Sequence, residues 1–158
     1  GRGENGSAAL IEDFRRVYAA RATMSTVAYA GIPELLDELS YRGLPLSVLS
    51  NKPDPLTRQI VGKCLGSGRF ADVRGARLEA ARKPDPAAAI EQAVLMGAAP
   101  ADTLLVGDSG TDMATALAAG MTGVGVLWGF REASELTREG AARLIDRPSE
   151  LLEMVDAI

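Results

Sequence analysis

Two carboxylates follow a short apolar run in the second half of the sequence. Asp108 follows a run of the kind that forms a buried strand, and Asp112 comes one helical turn later. Residues at the carboxyl end of a parallel strand lie where open α/β sheets bind their ligands. Carboxylate oxygens in that position suit Mg²⁺. The alternative is that Asp108 only caps the following helix and that Asp112 complements its dipole.

A hydroxyl, an amide and a lysine precede these carboxylates in the chain. Ser50 and Asn51 end another apolar run, and Lys83 stands before a proline at a helix entry. Ser50 and Asn51 have donors for phosphate oxygens, and Lys83 can hold a phosphate and a carboxylate as a compact cation. Lys52 could play the same part as Lys83, but its spacing from the other residues makes it the weaker candidate. Each residue alone also fits an ordinary polar loop position, but their order together indicates phosphoryl-transfer chemistry.

The composition sets limits on the class of protein. The chain has 158 residues, 47% hydrophobic content and a mean hydropathy of +0.06, which predict one globular domain with a sizeable core. A net charge of −4 disfavours non-specific binding to nucleic acid or to an anionic membrane. The sequence contains no apolar run of membrane-spanning length and no signal-like segment.

Histidine and cysteine usage narrows the chemistry further. The sequence has no histidine, which excludes Ser-His-Asp and Cys-His catalysis and histidine-ligated zinc. The single cysteine, Cys64, cannot form an internal disulfide, and this usage fits a reducing cytoplasm. We expect Cys64 to be a small buried apolar group.

Apolar periodicity predicts alternating helices and strands. Strands are predicted at 45–50, 70–74, 103–106, 122–127 and 143–145. Helices are predicted near 10–18, 31–43, 112–119 and 134–139, and from 54, 85 and 148 onward. The helices from 54 and 85 each begin within a Lys-Pro-Asp-Pro tetrapeptide, in which Asp is the predicted N-cap and the second Pro the first helical residue. The alternation predicts an α/β fold with a mostly parallel sheet in three layers.

In combination, these motifs resemble the haloacid dehalogenase superfamily, and most of all its phosphoglycolate phosphatase branch. The matching stretches are 48–53, 82–86, 106–113 and 125–131. The resemblance extends from about Phe14 to the C-terminus. It implies a Rossmann-like core and a Mg²⁺-dependent phosphomonoesterase that works through an aspartyl-phosphate. The implied substrate is a small phosphorylated metabolite, with 2-phosphoglycolate as the expectation.

The resemblance also implies roles for five residues. Ser50 and Asn51 would bind the transferring phosphoryl group, and Lys83 would stabilise its charge and that of the nucleophile. Asp108 would ligate Mg²⁺. Asp112 would support the metal, through water or by fixing Lys83. Neither nucleic acid nor a membrane is an expected partner, and the oligomeric state is not assigned.

One part of the family pattern is missing from this sequence. The nucleophile and acid/base of the family lie in an Asp-x-Asp-Gly-Thr motif on the first strand, and no such motif occurs here. By resemblance, that strand lies between the Ser50 strand and the Asp108 strand. We therefore expect residues 1–28 to be the C-terminal part of a helical cap and residues 29–158 to be a core lacking its first strand. The nucleophile would lie outside this sequence, and the chain alone would be inactive.

Other interpretations stay open at this point. A phosphoacceptor receiver domain uses similar residues, but its acidic cluster precedes the hydroxyl and the lysine. A non-catalytic scaffold or binding protein, or an inactive fragment, is the rival from another class. A phosphomutase or dehalogenase is possible within the superfamily. Trp128 and Arg131 follow a predicted strand, where they either line an entrance or form a packed aromatic and a solvated arginine.

Overall fold

The computed structural model describes residues 26–156, in which parallel strands alternate with helices. The strands are β1 (Ser47–Pro53), β2 (Asp72–Ala76), β3 (Leu104–Gly107), β4 (Thr122–Val126) and β5 (Arg143–Ile145). The helices are α1 (Ile32–Tyr41), α2 (Asp54–Cys64), α3 (Ala87–Leu95), α4 (Gly110–Ala119), α5 (Ala133–Arg138) and α6 (Glu150–Val155). Single 3-10 turns occupy Ser67–Arg69 and Pro100–Asp102. The helix predicted near 10–18 and most of the predicted cap lie outside the described residues.

The strands form two parallel sheets, which is the division expected if a strand between the Ser50 strand and the Asp108 strand is missing from this sequence. One sheet pairs β1 with β2, and the other has the order β3-β4-β5. Val48 lies opposite Val73 in the first sheet, and Val106 lies opposite Val124 in the second. Within residues 26–156, β1 and β3 therefore each keep one edge without a strand partner.

A cavity of about 720 Å³ lies against both of these strands. Leu49 of β1 and Leu105 of β3 line it, together with apolar side chains of α1, and Lys83 and Asp112 also line it. Val106 is 42% exposed although it belongs to an apolar strand. The two unpaired strand edges and this apolar lining therefore border one continuous gap between β1 and β3.

The β4 strand shows how the second sheet is covered on both faces. Added side chains at Gly123 and Gly125 would contact α4 and α5, through Ala116 and Leu136 respectively. The alternate residues of β4 pack instead on α1 and α6, because side chains alternate across a strand. The cluster on that face consists of Leu35, Leu39, Val124, Val126, Ile145 and Leu151. This arrangement confirms the three-layer α/β prediction.

Several local predictions shift when the chain folds. The first two strands begin two residues later than predicted, and β1 continues to Pro53. Asp54 is the first residue of α2 and not its N-cap; its carboxylate accepts the Gly75 N–H at 2.9 Å instead. Cys64 is only half-buried. None of the helices in residues 26–156 is long and apolar enough to cross a membrane.

Candidate active site

The loop between β3 and α4 carries the two predicted carboxylates. Ser109, and not Asp108, is the N-cap of α4, because its hydroxyl accepts the Asp112 N–H and the Asp112 carboxylate accepts the Ser109 N–H. The Ser109 hydroxyl also donates to Asp112 Oδ2 at 2.6 Å. This capping box fixes Asp112 and leaves Asp108 outside the cap. Sequence reasoning missed Ser109, although the Ser-x-x-Asp spacing is a signal for it.

Lys83 forms an ion pair with Asp112 at the edge of the gap. Its Nζ lies 2.5 Å from Asp112 Oδ1 and donates to the Leu49 carbonyl at 3.0 Å. The side chains of Lys83 and Asp112 are only 12% and 9% exposed. A buried ion pair needs such additional hydrogen bonds to offset the desolvation of its charges. The ammonium thus joins the first sheet, through β1, to the helix that follows β3.

The side chain of Asn51 holds the backbone of Lys83. Its amide Nδ2 donates to the Lys83 carbonyl at 2.9 Å, and its Oδ1 accepts the Lys83 N–H at 3.0 Å. The neighbouring Ser50 hydroxyl accepts the Lys52 N–H at 3.1 Å. A hydroxyl that accepts in this way keeps its own proton for donation. The structure therefore brings Asn51, Lys83 and Asp112 together, and Ser50 directly precedes Asn51 on β1.

Two glycines let the carboxylates approach the backbone closely. A Cβ at Gly107 would lie 2.3 Å from Asp112 Cβ, and a Cβ at Gly129 would lie 2.3 Å from Asp108 Cβ. Neither position tolerates a side chain without moving a carboxylate. Sequence reasoning did not assign a role to either glycine; the approach of Gly107 to Asp112 is local to the β3–α4 loop, whereas that of Gly129 to Asp108 arises only when distant segments pack.

Asp108 is the carboxylate with the fewest hydrogen bonds at this site. Its Oδ2 receives one long hydrogen bond, from the Phe130 N–H at 3.4 Å. Both oxygens of Asp112 are engaged, by Lys83 and by Ser109. In the part of the chain that the structure describes, no group of three or more acidic, histidine or cysteine side chains could hold a metal ion. Mg²⁺ keeps several waters and takes one or two carboxylates, so this donor set fits Asp108 as one ligand among others.

The segment after β4 packs against the core through Trp128 and contacts the start of α4 through Glu135. Trp128 packs partly buried against the apolar core, whereas Arg131 is 59% exposed and lies 3.8 Å from Glu135. Glu135 accepts the Gly110 N–H at 3.1 Å at the start of α4. A carboxylate at a helix N-terminus is favourable because of the unpaired N–H groups there. For Trp128 and Arg131 the structure favours the packed aromatic and the solvated arginine.

Comparison with known proteins defines the class. The family model for haloacid dehalogenase-like hydrolases matches residues 2–126. The chain is 30% identical over 146 residues to a phosphoglycolate phosphatase of Aquifex aeolicus, and 33% identical over 141 residues to that of Xylella fastidiosa. A solved family hydrolase from Deinococcus radiodurans, with bound phosphate and sodium, superposes with a TM-score of 0.78 at 26% identity. The chain belongs to the haloacid dehalogenase-like hydrolase family.

The matches cover most of this chain but only part of its relatives. They include 92% and 88% of this chain for the Aquifex and Xylella proteins, but 67% and 61% of those proteins. For the Deinococcus structure the shares are 87% of this chain and 63% of that chain. The chain thus spans about two thirds or less of the length of these relatives.

Proposed function

We propose that this chain is part of a Mg²⁺-dependent phosphatase that hydrolyses a small phosphorylated metabolite, with 2-phosphoglycolate as the first substrate to test. The observation that carries the proposal is the Lys83 ammonium, held between the Leu49 carbonyl and the Asp112 carboxylate at the edge of the gap between β1 and β3. A fixed cation at that edge suits a transition state with charge spread over three phosphoryl oxygens. The relatives named phosphoglycolate phosphatase support the substrate class.

Each residue of the site has a role in this proposal. The Ser50 hydroxyl and the Asn51 backbone N–H donate to the phosphoryl oxygens, and Lys83 balances their charge. Asp108 holds Mg²⁺, which supplies positive charge to the phosphate when it is bound. Asp112 keeps the Lys83 ammonium in place through its ion pair.

The proposal assigns the nucleophile to a segment outside this sequence. An extended strand in the gap between β1 and β3 would pair with both open edges and bury the apolar lining of the cavity. An aspartate at the carboxyl end of that strand would lie at the same sheet edge as Asp108 and Lys83. Residues 1–28 would then be the C-terminal part of the cap and 29–158 the core, as the sequence predicts.

The test is phosphate release by the complete gene product that contains this sequence. We expect turnover of 2-phosphoglycolate or another small phosphomonoester that stops when EDTA removes Mg²⁺. Asp108→Asn should abolish the Mg²⁺-dependent turnover, because a neutral amide is a much poorer ligand for a hard cation. Asp146→Asn, in the loop after β5, is the matched control and should keep full activity.

Several results would contradict the proposal. Turnover that persists without a divalent cation would contradict the proposed dependence on Mg²⁺. Near-normal activity of Asp108→Asn would contradict the proposed role of Asp108 as a metal ligand. A complete gene product that hydrolyses no phosphomonoester would favour an inactive relative or scaffold. Isomerisation of a sugar phosphate without phosphate release would indicate a phosphomutase, and halide release from a haloacid would indicate a dehalogenase.

A further inference from the structure

The loop from β2 to α3 is exposed along nearly its whole length, with one exception. In the stretch 77–85, Lys83 is the only residue that is not exposed. Its side chain reaches the site, while its backbone is bound at both polar groups by the Asn51 side chain. The lysine on which the proposed function depends is therefore carried by a loop whose neighbouring residues are in water.

The two hydrogen bonds between the Asn51 side chain and the Lys83 backbone use both the NH₂ group, which donates, and the oxygen, which accepts. The carboxamide has one oxygen and one NH₂ group, and each is paired with the peptide of Lys83. One N–H of the NH₂ group remains, so the side chain could reach a phosphate only through that single donor while it stays bound to Lys83. Its backbone N–H, which belongs to β1, is a separate group.

We propose that Asn51 is a positioning residue that acts through Lys83. This inference rests on the proposed function and adds a role to it: the Asn51 side chain fixes the loop so that the ammonium already lies at Leu49 and Asp112 before substrate binds. A displaced catalytic group loses much of its effect even when the shift is about 1 Å. The sequence-based role of the Asn51 side chain as a phosphate ligand makes a different prediction.

A double-mutant cycle in the complete gene product separates the two roles. Asn51→Ala should lower kcat about 10- to 100-fold and leave KM within about twofold, because the lost function is placement of Lys83. In a Lys83→Ala background the same change should cost less than about twofold, since there is no ammonium left to place. Ser40→Ala also removes one exposed side-chain hydrogen bond to the backbone, and it should change nothing.

A chemical measurement tests the same inference without any turnover. Reductive methylation of lysines, followed by peptide mass spectrometry, should modify Lys83 slowly in the wild type because the ammonium is buried and paired. Asn51→Ala should speed this modification about fivefold or more, with the exposed Lys52 as an internal standard that does not change. Asn51→Asp is a second variant: it places a carboxylate against the Lys83 carbonyl, so it should act in the same direction.

The outcomes decide between the roles. Faster modification of Lys83 together with a loss of kcat that vanishes in the Lys83→Ala background supports positioning. An unchanged modification rate overturns the inference whatever happens to activity. A raised KM with an equal loss in both backgrounds also overturns it and makes the side chain a phosphate ligand. If the complete gene product hydrolyses no phosphomonoester, the proposed function fails, and the modification rates alone decide the role of Asn51.

Discussion

The tetrapeptide Lys-Pro-Asp-Pro occurs twice in this chain, at 52–55 and at 83–86, and the two copies lie in different surroundings. The first copy runs into α2, which begins at Asp54, and the second ends directly before α3, which begins at Ala87. Lys52 is exposed, whereas Lys83 is 12% exposed and pairs with Asp112. The four residues are the same, so the chemistry of each lysine is decided by the distant residues that the fold places beside it.

The aspartates of the two copies differ in the opposite sense. Asp54 is 15% exposed and accepts the Gly75 N–H, and Arg58 lies 3.0 Å from its other oxygen. Asp85 is exposed and accepts only the Ala87 N–H, at 2.9 Å, among the contacts of the described residues. One copy thus holds a hydrogen-bonded, mostly buried aspartate with an exposed lysine, and the other holds a mostly buried, ion-paired lysine with an exposed aspartate at the helix entry.

The largest expected difference is in catalysis by the two lysines. In the complete gene product, Lys83→Ala should lower kcat about 10²- to 10³-fold, because a preorganised cation beside the phosphoryl group is lost. Lys52→Ala should stay within about threefold of the wild type. Steady-state phosphate release with 2-phosphoglycolate or the best phosphomonoester found measures both. Equal losses in the two variants would break the comparison.

The buried ion pair gives Lys83→Ala a second consequence that a solvated loop lysine would not have. Removing one partner leaves the Asp112 charge buried, which costs about 3–5 kcal/mol for a fully buried pair and less where Ser109 still bonds the carboxylate. Lys83→Met keeps the apolar stem and is the matched variant for packing. Chemical unfolding of Lys83→Ala, Lys83→Met and Lys52→Ala separates this loss of stability from the loss of turnover.

Removing the partner of Lys83 should have the next largest effect. Asp112→Asn keeps the size of the side chain but removes the negative charge that pairs with the Lys83 ammonium. We therefore expect kcat to fall about 10- to 100-fold. Asp85→Asn is two residues from the same lysine and does not contact its Nζ, so it should be within about twofold of the wild type. Near-normal turnover by Asp112→Asn would show that the ion pair does not hold the reactive geometry.

The aspartates should differ in stability and not in catalysis. Asp54→Ala should lower the free energy of unfolding by about 1–2 kcal/mol, because it leaves the N–H of the buried Gly75 without this partner. Asp85→Ala should cost less than about 1 kcal/mol, as expected for one exposed hydrogen bond at a helix entry. Urea unfolding of both variants measures the difference. A larger loss for Asp85→Ala would contradict the assignment.

The smallest expected effect is the pH dependence of the stability that Asp54 contributes. The hydrogen bond from the Gly75 N–H, assisted by Arg58, lowers the pKa of the Asp54 carboxyl below its ordinary value. The ionised form is thus favoured in the folded state, and its contribution to stability is complete above the ordinary pKa of about 4. This contribution is lost as the pH falls through the lowered pKa. The difference in Tm between the wild type and Asp54→Ala should therefore shrink below about pH 4, and a constant difference would contradict this cause.

Much of the fold could be predicted from the sequence because it rests on local signals. Apolar runs placed all five described strands to within a few residues, and the helix predicted to end at 119 does end at Ala119, where Gly120 follows in the left-handed conformation. The N-cap at Asp54 was predicted wrongly. The Asp54 carboxylate accepts the Gly75 N–H instead, and Gly75 lies 21 residues away, so the local sequence does not reveal this contact. The division of the strands into two sheets was also not predicted from periodicity, since periodicity does not report which edges meet.

The candidate site shows the same limit. The sequence indicated Lys83, Asp108 and Asp112 by their residue types and order, and the structure places Lys83 on Asp112. Neither the Asn51 contact nor the close approach of Gly129 to Asp108 could be predicted, because both join segments that are distant in the chain. Spacing identifies candidates, whereas partners depend on tertiary packing.

The most direct test of the central claim is a crystal structure of the complete gene product with Mg²⁺ and a phosphate mimic such as tungstate. We expect the anion at the carboxyl ends of β1 and β3, with Lys83 Nζ within hydrogen-bond distance, Asp108 on the metal, and a strand between β1 and β3. An anion bound elsewhere, with Lys83 still paired only to Asp112 and Leu49, would contradict the claim that this lysine serves phosphoryl transfer.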